Sequence, residues 1–211
     1  MNSLVEIPLT SFIVSLSGAL APGPLMVTTV RESSYMRSFK PGVFLSLGHA
    51  LAEAPVTLML TYGLLNVSKD FYPIVSILGG IFLIAMSILS FLKKANSVEA
   101  QGAAQAHGPL TMIALGATIS VSNPYWITWW LTIGAAYVSK SLPWGALGIV
   151  LFYISHQMGD FAVLGSVSKL MASGARSLGE KGLKILVAVC NIAIIAIGVS
   201  FMLEGARIFA S

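Results

Sequence analysis

The sequence predicts an all-α membrane protein that crosses the bilayer six times, as two inverted three-helix repeats with proline breaks in helices 1 and 4. Three observations favour this fold: an apolar composition, six long hydrophobic stretches, and motifs that occur once in each half of the chain. Of the 211 residues, 56% are hydrophobic and 9% are charged, whereas a soluble domain carries about a quarter charged residues. The mean hydropathy is +0.85. Most of the protein surface is therefore expected to face lipid.

Six stretches are long and apolar enough to cross a membrane, which requires about 20 residues. They are 7–30, 42–65, 71–92, 109–138, 144–168 and 183–203. The longest polar connection, 93–108, is rich in small residues, as is typical of a flexible linker. We therefore expect one transmembrane domain over 1–211, with repeat one at about 1–92, the linker at 93–108 and repeat two at about 109–211.

The distribution of basic residues predicts the orientation of the chain. Nine of the twelve Lys and Arg residues fall in the odd-numbered loops between these stretches, and basic residues are enriched in cytoplasmic loops. Both termini are therefore expected outside. The net charge of +4 is spread over short loops, which argues against a nucleic-acid partner. The single cysteine, Cys190, excludes an intramolecular disulfide and a multi-cysteine metal site.

Each half of the sequence contains a proline break inside an apolar stretch. The first is APGPLMVTT at 21–29, and the second is VSNPYWITW at 121–129. A proline inside a helix costs about 3 kcal/mol or more, and the carbonyls it frees are tolerated at membrane depth only when buried in protein or lining a wet cavity. The half-helix after each break presents free N–H groups that suit a carboxylate. The two breaks therefore either form a substrate-binding site or are a pair of structural kinks.

Polar and aromatic residues near these breaks are candidates for binding and transport of a substrate. They comprise Pro22, Gly23, Pro24, Ser122, Asn123, Pro124, Trp126 and, in the last stretch, Asn191. Trp126 is expected to wall a pocket, and Asn191 either lines a pathway or bonds across helices. Trp129 and Trp130 either face lipid or the membrane interface or wall the same pocket, and His107 is expected to be solvated in its loop.

Each half also carries a histidine followed four residues later by a carboxylate. The motifs are HALAE at 49–53 and HQMGD at 156–160. A spacing of four places His49 with Glu53, and His156 with Asp160, on one helix face. A charge at the bilayer centre costs about 2.5–3.5 kcal/mol, so ionisable residues there are functional by default. We expect a crossed group of four near the midplane that exchanges protons; the alternative is that each pair is a neutralised structural bond.

Several segments resemble the lysine exporter (LysE/RhtB-type) family of amino-acid exporters: GALAPGPLMVTTV, GHALAEAP, LGGIFLIAMS and SNPYWITWW. The resemblance implies a transporter rather than an enzyme. It would export an amino acid or related small metabolite across the inner membrane of a prokaryote, coupled to the proton gradient. No cofactor is implied, and homo-oligomerisation is left open. The positions of this chain that match the family's functional motifs would form the functional core. They are Pro22, Gly23, Pro24, Glu53, Asn123 and Pro124.

Two other functions were weighed against amino-acid export. The same superfamily includes exporters of divalent metals, for which His49, Glu53, His156 and Asp160 would supply the ligands; otherwise no metal site is expected. An intramembrane hydrolase is disfavoured because the sequence has neither a His-Glu-x-x-His motif nor a Gly-x-Ser-x-Gly motif. The sequence does not name the substrate.

Overall fold

The computed structural model describes residues 4–21, 23–64 and 107–173, together with short helical pieces between 73 and 88 and between 188 and 209. Every regular element in these parts of the chain is helical. The helices are α1 (Glu6–Ala19), α2 (Pro24–Met36), α3 (Lys40–Leu64), α4 (Pro109–Val121), α5 (Pro124–Trp129), α6 (Ala135–Ser141) and α7 (Gly145–Ala172). A π-helical turn, Trp130–Gly134, joins α5 to α6, and a 3-10 turn, Leu142–Trp144, joins α6 to α7.

The first predicted span is broken where the sequence indicates. Helices α1 and α2 meet at an angle of 80°, and Pro24 is the first residue of α2, a position where the missing N–H of proline is harmless. Each half is about 20 Å long at 1.5 Å per residue, which is shorter than the roughly 30 Å hydrocarbon core. Neither half is long enough to cross a bilayer alone, and the two together are long and apolar enough to form one bent span.

The second predicted break is also present. Helix α4 ends at Val121 and α5 begins at Pro124, with Asn123 between them as the N-cap. The Asn123 side chain accepts a hydrogen bond from the Tyr125 backbone N–H at 3.0 Å. Farther along, Gly145 has φ +61° and ψ −150°, a backbone conformation that is essentially restricted to glycine. The chain therefore changes direction between α6 and α7.

Two helical stretches of the described chain, Lys40–Gly63 and Tyr125–Ala172, are long and apolar enough to cross a membrane. The bent pair of α1 and α2 adds a third when it is counted as one span. The predicted spans at 71–92 and 183–203 lie largely outside the described residues.

Helix α7 is packed on one side by the bent first span and on the other by α3. Ser15 of α1 lies against Gly159, and Ser33 of α2 lies against Ser168, so the first span and α7 run in the same direction. Helix α3 runs in the opposite direction, because its Gly42 N–H bonds Ser168 and its Ala50 carbonyl bonds Tyr153 farther back along α7. This arrangement brings side chains of α3 and α7 together at mid-length.

Candidate functional site

Two histidines and two carboxylates meet between α3 and α7. On α3, His49 Nε2 lies 3.0 Å from Glu53 Oε1, and on α7, His156 Nε2 lies 3.3 Å from Asp160 Oδ2. Between the helices, His156 Nε2 is 3.4 Å from Glu53 Oε2, and His49 Nε2 is 3.9 Å from Asp160 Oδ2. We call these four residues the His/carboxylate quartet. Glu53, His156 and Asp160 are at most 2% exposed, so the quartet is shielded from bulk water.

Glu53 is surrounded by hydrogen-bond donors. Its Oε1 accepts from the indole N–H of Trp126 at 3.0 Å and of Trp130 at 2.9 Å. Its Oε2 accepts from the Gln157 side-chain amide at 2.7 Å. An indole N–H donates and never accepts. The environment of Glu53 therefore favours an ionised carboxylate.

Ser120 connects His49 to α4. The Ser120 hydroxyl lies 2.6 Å from the Gly116 carbonyl oxygen and shares a hydrogen bond of 2.6 Å with His49 Nδ1. His49 Nε2 is the ring nitrogen that faces Glu53. Ser120 is contributed by α4 just before the second break, so the break is connected directly to the quartet.

The α7 half of the quartet has unused polar atoms. Asp160 Oδ2, His156 Nδ1 and Gln157 Oε1 are buried, and none has a hydrogen-bond partner in the described structure. Buried polar atoms without partners are rare in folded proteins. Asp160 thus differs from Glu53, because both carboxylate oxygens of Glu53 accept hydrogen bonds.

Aromatic rings enclose the second histidine. The ring centroid of His156 lies 5.0 Å from that of Trp129, 5.5 Å from that of Trp130 and 5.7 Å from that of Phe152. Aromatic faces attract a cation within about 6 Å. His156 is therefore held among three aromatic rings at a buried position.

The two proline breaks lie side by side. A Cβ placed on Gly23 would be 3.7 Å from the side-chain nitrogen of Asn123. The end of α1 is tied to α5 as well, because Ser17 accepts from the Tyr125 hydroxyl at 2.8 Å and from the Trp129 indole at 3.0 Å. No side chain caps the N-terminus of α2, so its first N–H groups remain available. Both broken helices therefore border one region.

A metal ion fits this group less well than protons do. One ligand atom each from His49, Glu53 and Asp160 lies within 4.8 Å of the other two. However, Glu53 Oε1 already accepts two indole N–H groups, and those donors would face a bound cation. The donor-rich surroundings match an anion and exchangeable protons.

Other predicted residues have mixed outcomes. Ser122 is exposed at the end of α4, and Pro22 and Asn191 lie outside the described residues. The alternative that Trp129 and Trp130 face lipid is wrong, since they are 3% and 1% exposed and both indole N–H groups donate inward.

The expectation that His107 is solvated is wrong as well. His107 Nδ1 lies 3.1 Å from the buried carboxylate of Glu32, and its side chain is 27% exposed. Glu32 is not among the predicted residues, because its position near the end of an apolar stretch gives no sign that it is buried.

Trp130 and Gln157 were missed as partners of Glu53. A signal existed for Trp130, because a spacing of four from Trp126 places both indoles on one helix face. No comparable pattern identifies Gln157.

An apolar helical protein whose broken helices border a buried charged cluster belongs to the class of membrane translocators. The family model for the LysE type translocators matches residues 16–205, and the chain belongs to that family. Its substrate class is therefore a small molecule, and its site of action is a membrane. Searches of curated proteins and of solved structures gave no match.

Proposed function

We propose that the protein is a secondary transporter that exports an amino acid or related small metabolite across the cytoplasmic membrane, coupled to the proton gradient. The observation that carries this proposal is the His/carboxylate quartet, which joins two spans at a buried position and is hydrogen-bonded to Ser120 and Trp126, the residues on either side of the second proline break. Membership in the translocator family supports the direction of transport.

The paired proline breaks form the substrate-binding site. A carboxylate is favoured beside the uncapped N-terminus of α2, where N–H groups and the helix dipole present positive charge. Asn123 faces Gly23 across this region and offers both a donor and an acceptor. The residues proposed for this site are Gly23, Pro24, Asn123 and Pro124, with Pro22, Ser122 and Asn191 kept from the sequence.

The His/carboxylate quartet couples substrate export to proton movement. Two ring nitrogens, one from each histidine, lie 3.0 to 3.9 Å from three carboxylate oxygens, so protons need to move only between neighbouring atoms. His49 connects the quartet to the second break through Ser120. Substrate at the breaks and protons on the quartet therefore act on the same helices.

The proposed architecture is two inverted repeats. In this arrangement α1–α2 and α4–α5 are the corresponding broken helices, and α3 and α7 are the corresponding second spans. The opposite directions of α3 and α7 agree with inversion, and binding between inverted repeats is common in secondary transporters. Both termini would then lie outside, and a homo-oligomer is compatible with this topology.

The experiment is to record charge movement from proteoliposomes on a solid-supported membrane. The vesicles are exposed in turn to a panel of amino acids and to divalent metals, each at two pH values. We expect a pH-dependent current for particular amino acids, and we expect Glu53→Gln to abolish it. The exposed carboxylate variant Glu6→Gln is the control and should keep the current.

The same recording tests the alternative of divalent-metal export. That function is favoured only by the mutual proximity of His49, Glu53 and Asp160. A current with metals and none with amino acids would overturn the proposal and assign the quartet to metal transport.

A further inference from the structure

A second charged cluster lies outside the quartet, in the half of α2 that is farther from its proline break. Glu32 of α2 is 1% exposed, and its Oε1 lies 3.1 Å from Arg31 Nη2 and 3.1 Å from His107 Nδ1. His107 stands two residues before the start of α4. A buried ionisable residue in a membrane span is a candidate functional residue by default.

Helices α2 and α4 lie side by side and run in opposite directions. The start of α4 is beside the last turns of α2, because His107 contacts Glu32. The end of α4 is beside the start of α2, because Asn123 lies close to Gly23. Each helix has 13 residues and is about 20 Å long. The boundary between them, which we call the α2/α4 seam, therefore leads from the paired breaks to the side of the molecule where Glu32 lies.

The buried face of α2 is polar. The buried residues of this helix are Thr29, Glu32 and Ser33, and spacings of three and four residues place Thr29 on one face with the other two. In contrast, the apolar Val27 is 41% exposed. Helices in a membrane gain nothing from burying polar rather than apolar side chains unless those side chains bond or line a path. The polar face of α2 is therefore suited to line a path for a polar solute.

The two helices of the seam are held by different neighbours. Helix α2 is attached to α7 by the hydrogen bond between Ser33 and Ser168. Helix α4 packs closely on α3, since a Cβ added to Gly116 would overlap the Leu45 carbonyl oxygen. Helix α2 can therefore move away from α4 while both of these contacts are kept, provided that Glu32 releases His107.

We propose that the α2/α4 seam is the cytoplasmic half of the transport path, and that the contact between Glu32 and His107 is the gate that closes it in this structure. The inference rests on the proposed function, because it takes the paired breaks as the substrate-binding site and the basic loops as cytoplasmic. It adds a gate that belongs neither to that site nor to the His/carboxylate quartet.

The surroundings of Glu32 suit a contact that opens and closes. Both of its charged neighbours, Arg31 and His107, meet the same oxygen, Oε1. The other oxygen, Oε2, is buried and has no hydrogen-bond partner in the part of the chain that the structure describes. Opening of the seam would let water reach both oxygens, and the 27% exposed His107 side chain would return to solvent. Hydration then offsets the lost contact, so the closed and open states have similar free energies, as a gate requires.

The test measures how fast a buried cysteine reacts with a membrane-impermeant maleimide. Cys190 is replaced by Ser, and the reporter is Thr29→Cys, since Thr29 is 0% exposed and lies between Glu32 and the break. In inverted membrane vesicles, we expect Glu32→Gln to raise the labelling rate about tenfold or more, because a hydrogen bond to a charged group is lost from the closed state only. In intact cells, the reporter should stay unlabelled.

Two further variants and a second reporter separate a gate from a loss of fold. His107→Ala removes the contact from the other side of the seam and should also speed labelling of Thr29→Cys. Glu6→Gln, exposed in α1, should leave the rate unchanged. Val14→Cys, which is buried in α1, should stay unlabelled throughout. A merely structural role for Glu32 predicts a lower unfolding temperature without faster labelling. That result, or labelling of Thr29→Cys that rises only together with Val14→Cys, would overturn the proposal.

The two proposals fail separately. The labelling needs no substrate, so a lack of amino-acid currents in the transport recording would remove the proposed function while leaving the gated seam intact. Unchanged labelling in Glu32→Gln and His107→Ala would remove the gate while leaving proton-coupled export in place.

Discussion

Glu53 illustrates how one side chain holds a charge at membrane depth. Placing an unpaired charge at the bilayer centre costs about 2.5–3.5 kcal/mol. Here the carboxylate is 2% exposed and meets two indoles, one amide and two imidazoles, so both oxygens are fully used. The histidine and carboxylate positions were predictable, because charged residues in apolar stretches are conspicuous. Their hydrogen-bond partners were not, since an indole or an amide in a span is unremarkable until the helices pack.

Ser120 is the residue whose loss should affect the quartet most selectively. Ser120→Ala removes the hydrogen bond between the Ser120 hydroxyl and His49 Nδ1 and leaves that ring nitrogen without this partner, at a cost of about 1–3 kcal/mol. We expect the pH dependence of transport to shift while the folded protein is retained, as measured by the solid-supported recording. Thr118→Ala, exposed on the same helix, should keep the wild-type pH profile. An equal shift in both variants would remove Ser120 from the coupling path.

Gly159 is required for close packing of α1 on α7. An added Cβ there would overlap Ser15 Oγ and lie 3.0 Å from the Phe12 carbonyl oxygen. Gly159→Ala should therefore lower stability by about 1–3 kcal/mol, the usual cost of overpacking, as measured by thermal unfolding in detergent. Gly165→Ala, with nothing within 4 Å of its Cβ, should be neutral or slightly stabilising. Equal unfolding temperatures for the two variants would contradict this packing.

At the scale of elements, a single serine joins three helices at one end of the molecule. Ser168 of α7 donates to the Phe39 carbonyl at 2.8 Å and accepts from the Gly42 N–H at 3.0 Å. It also shares a hydrogen bond of 2.5 Å with Ser33 of α2. These bonds fix the turn between α2 and α3 against the end of α7, on the side that the basic residues assign to the cytoplasm.

Removal of this serine should loosen the turn. Ser168→Ala leaves the buried Ser33 hydroxyl and the Gly42 N–H without their partner, so we expect a loss of about 1–3 kcal/mol. Amide hydrogen exchange should rise at the start of α3 and the end of α2. Ser166→Ala, exposed on the same helix, should leave exchange unchanged. Unaltered exchange in Ser168→Ala would show that other contacts hold the turn.

Element boundaries were predictable to different degrees. Both breaks were readable, because Pro24 and Pro124 have no backbone N–H and start the following helices. The π-helical turn Trp130–Gly134 was not, since nothing in WLTIG distinguishes it from an α-helix. The stretch 109–138, predicted to be a single span, therefore consists of α4, α5, the π-helical turn and α6.

At the scale of the whole molecule, the directions of α3 and α7 predict on which sides of the membrane their preceding turns lie. The turn between α2 and α3 contains Arg37, and the turn between α6 and α7 contains Pro143; both residues are exposed. Helices α3 and α7 run in opposite directions, so the turns that precede them should lie on opposite sides of the membrane. The sequence carries this information because charge placement in loops is set by the membrane itself.

Labelling of single cysteines tests this orientation. With Cys190 replaced by Ser, Arg37→Cys should react with a membrane-impermeant maleimide in inverted vesicles but not in intact cells, and Pro143→Cys should do the reverse. Reaction of both from the same side would contradict the arrangement of α3 and α7. Reaction with the two sides exchanged would invert the topology.

The measurement that most directly tests proton-coupled export through the quartet is substrate-driven proton movement in proteoliposomes containing a trapped pH dye. The amino acid that gives the largest current is applied as an outward gradient. We predict that the wild-type protein moves protons in the opposite direction, and that Asp160→Asn, reconstituted to the same density, moves none. Equal proton movement in the two proteins would contradict a role for the quartet in coupling.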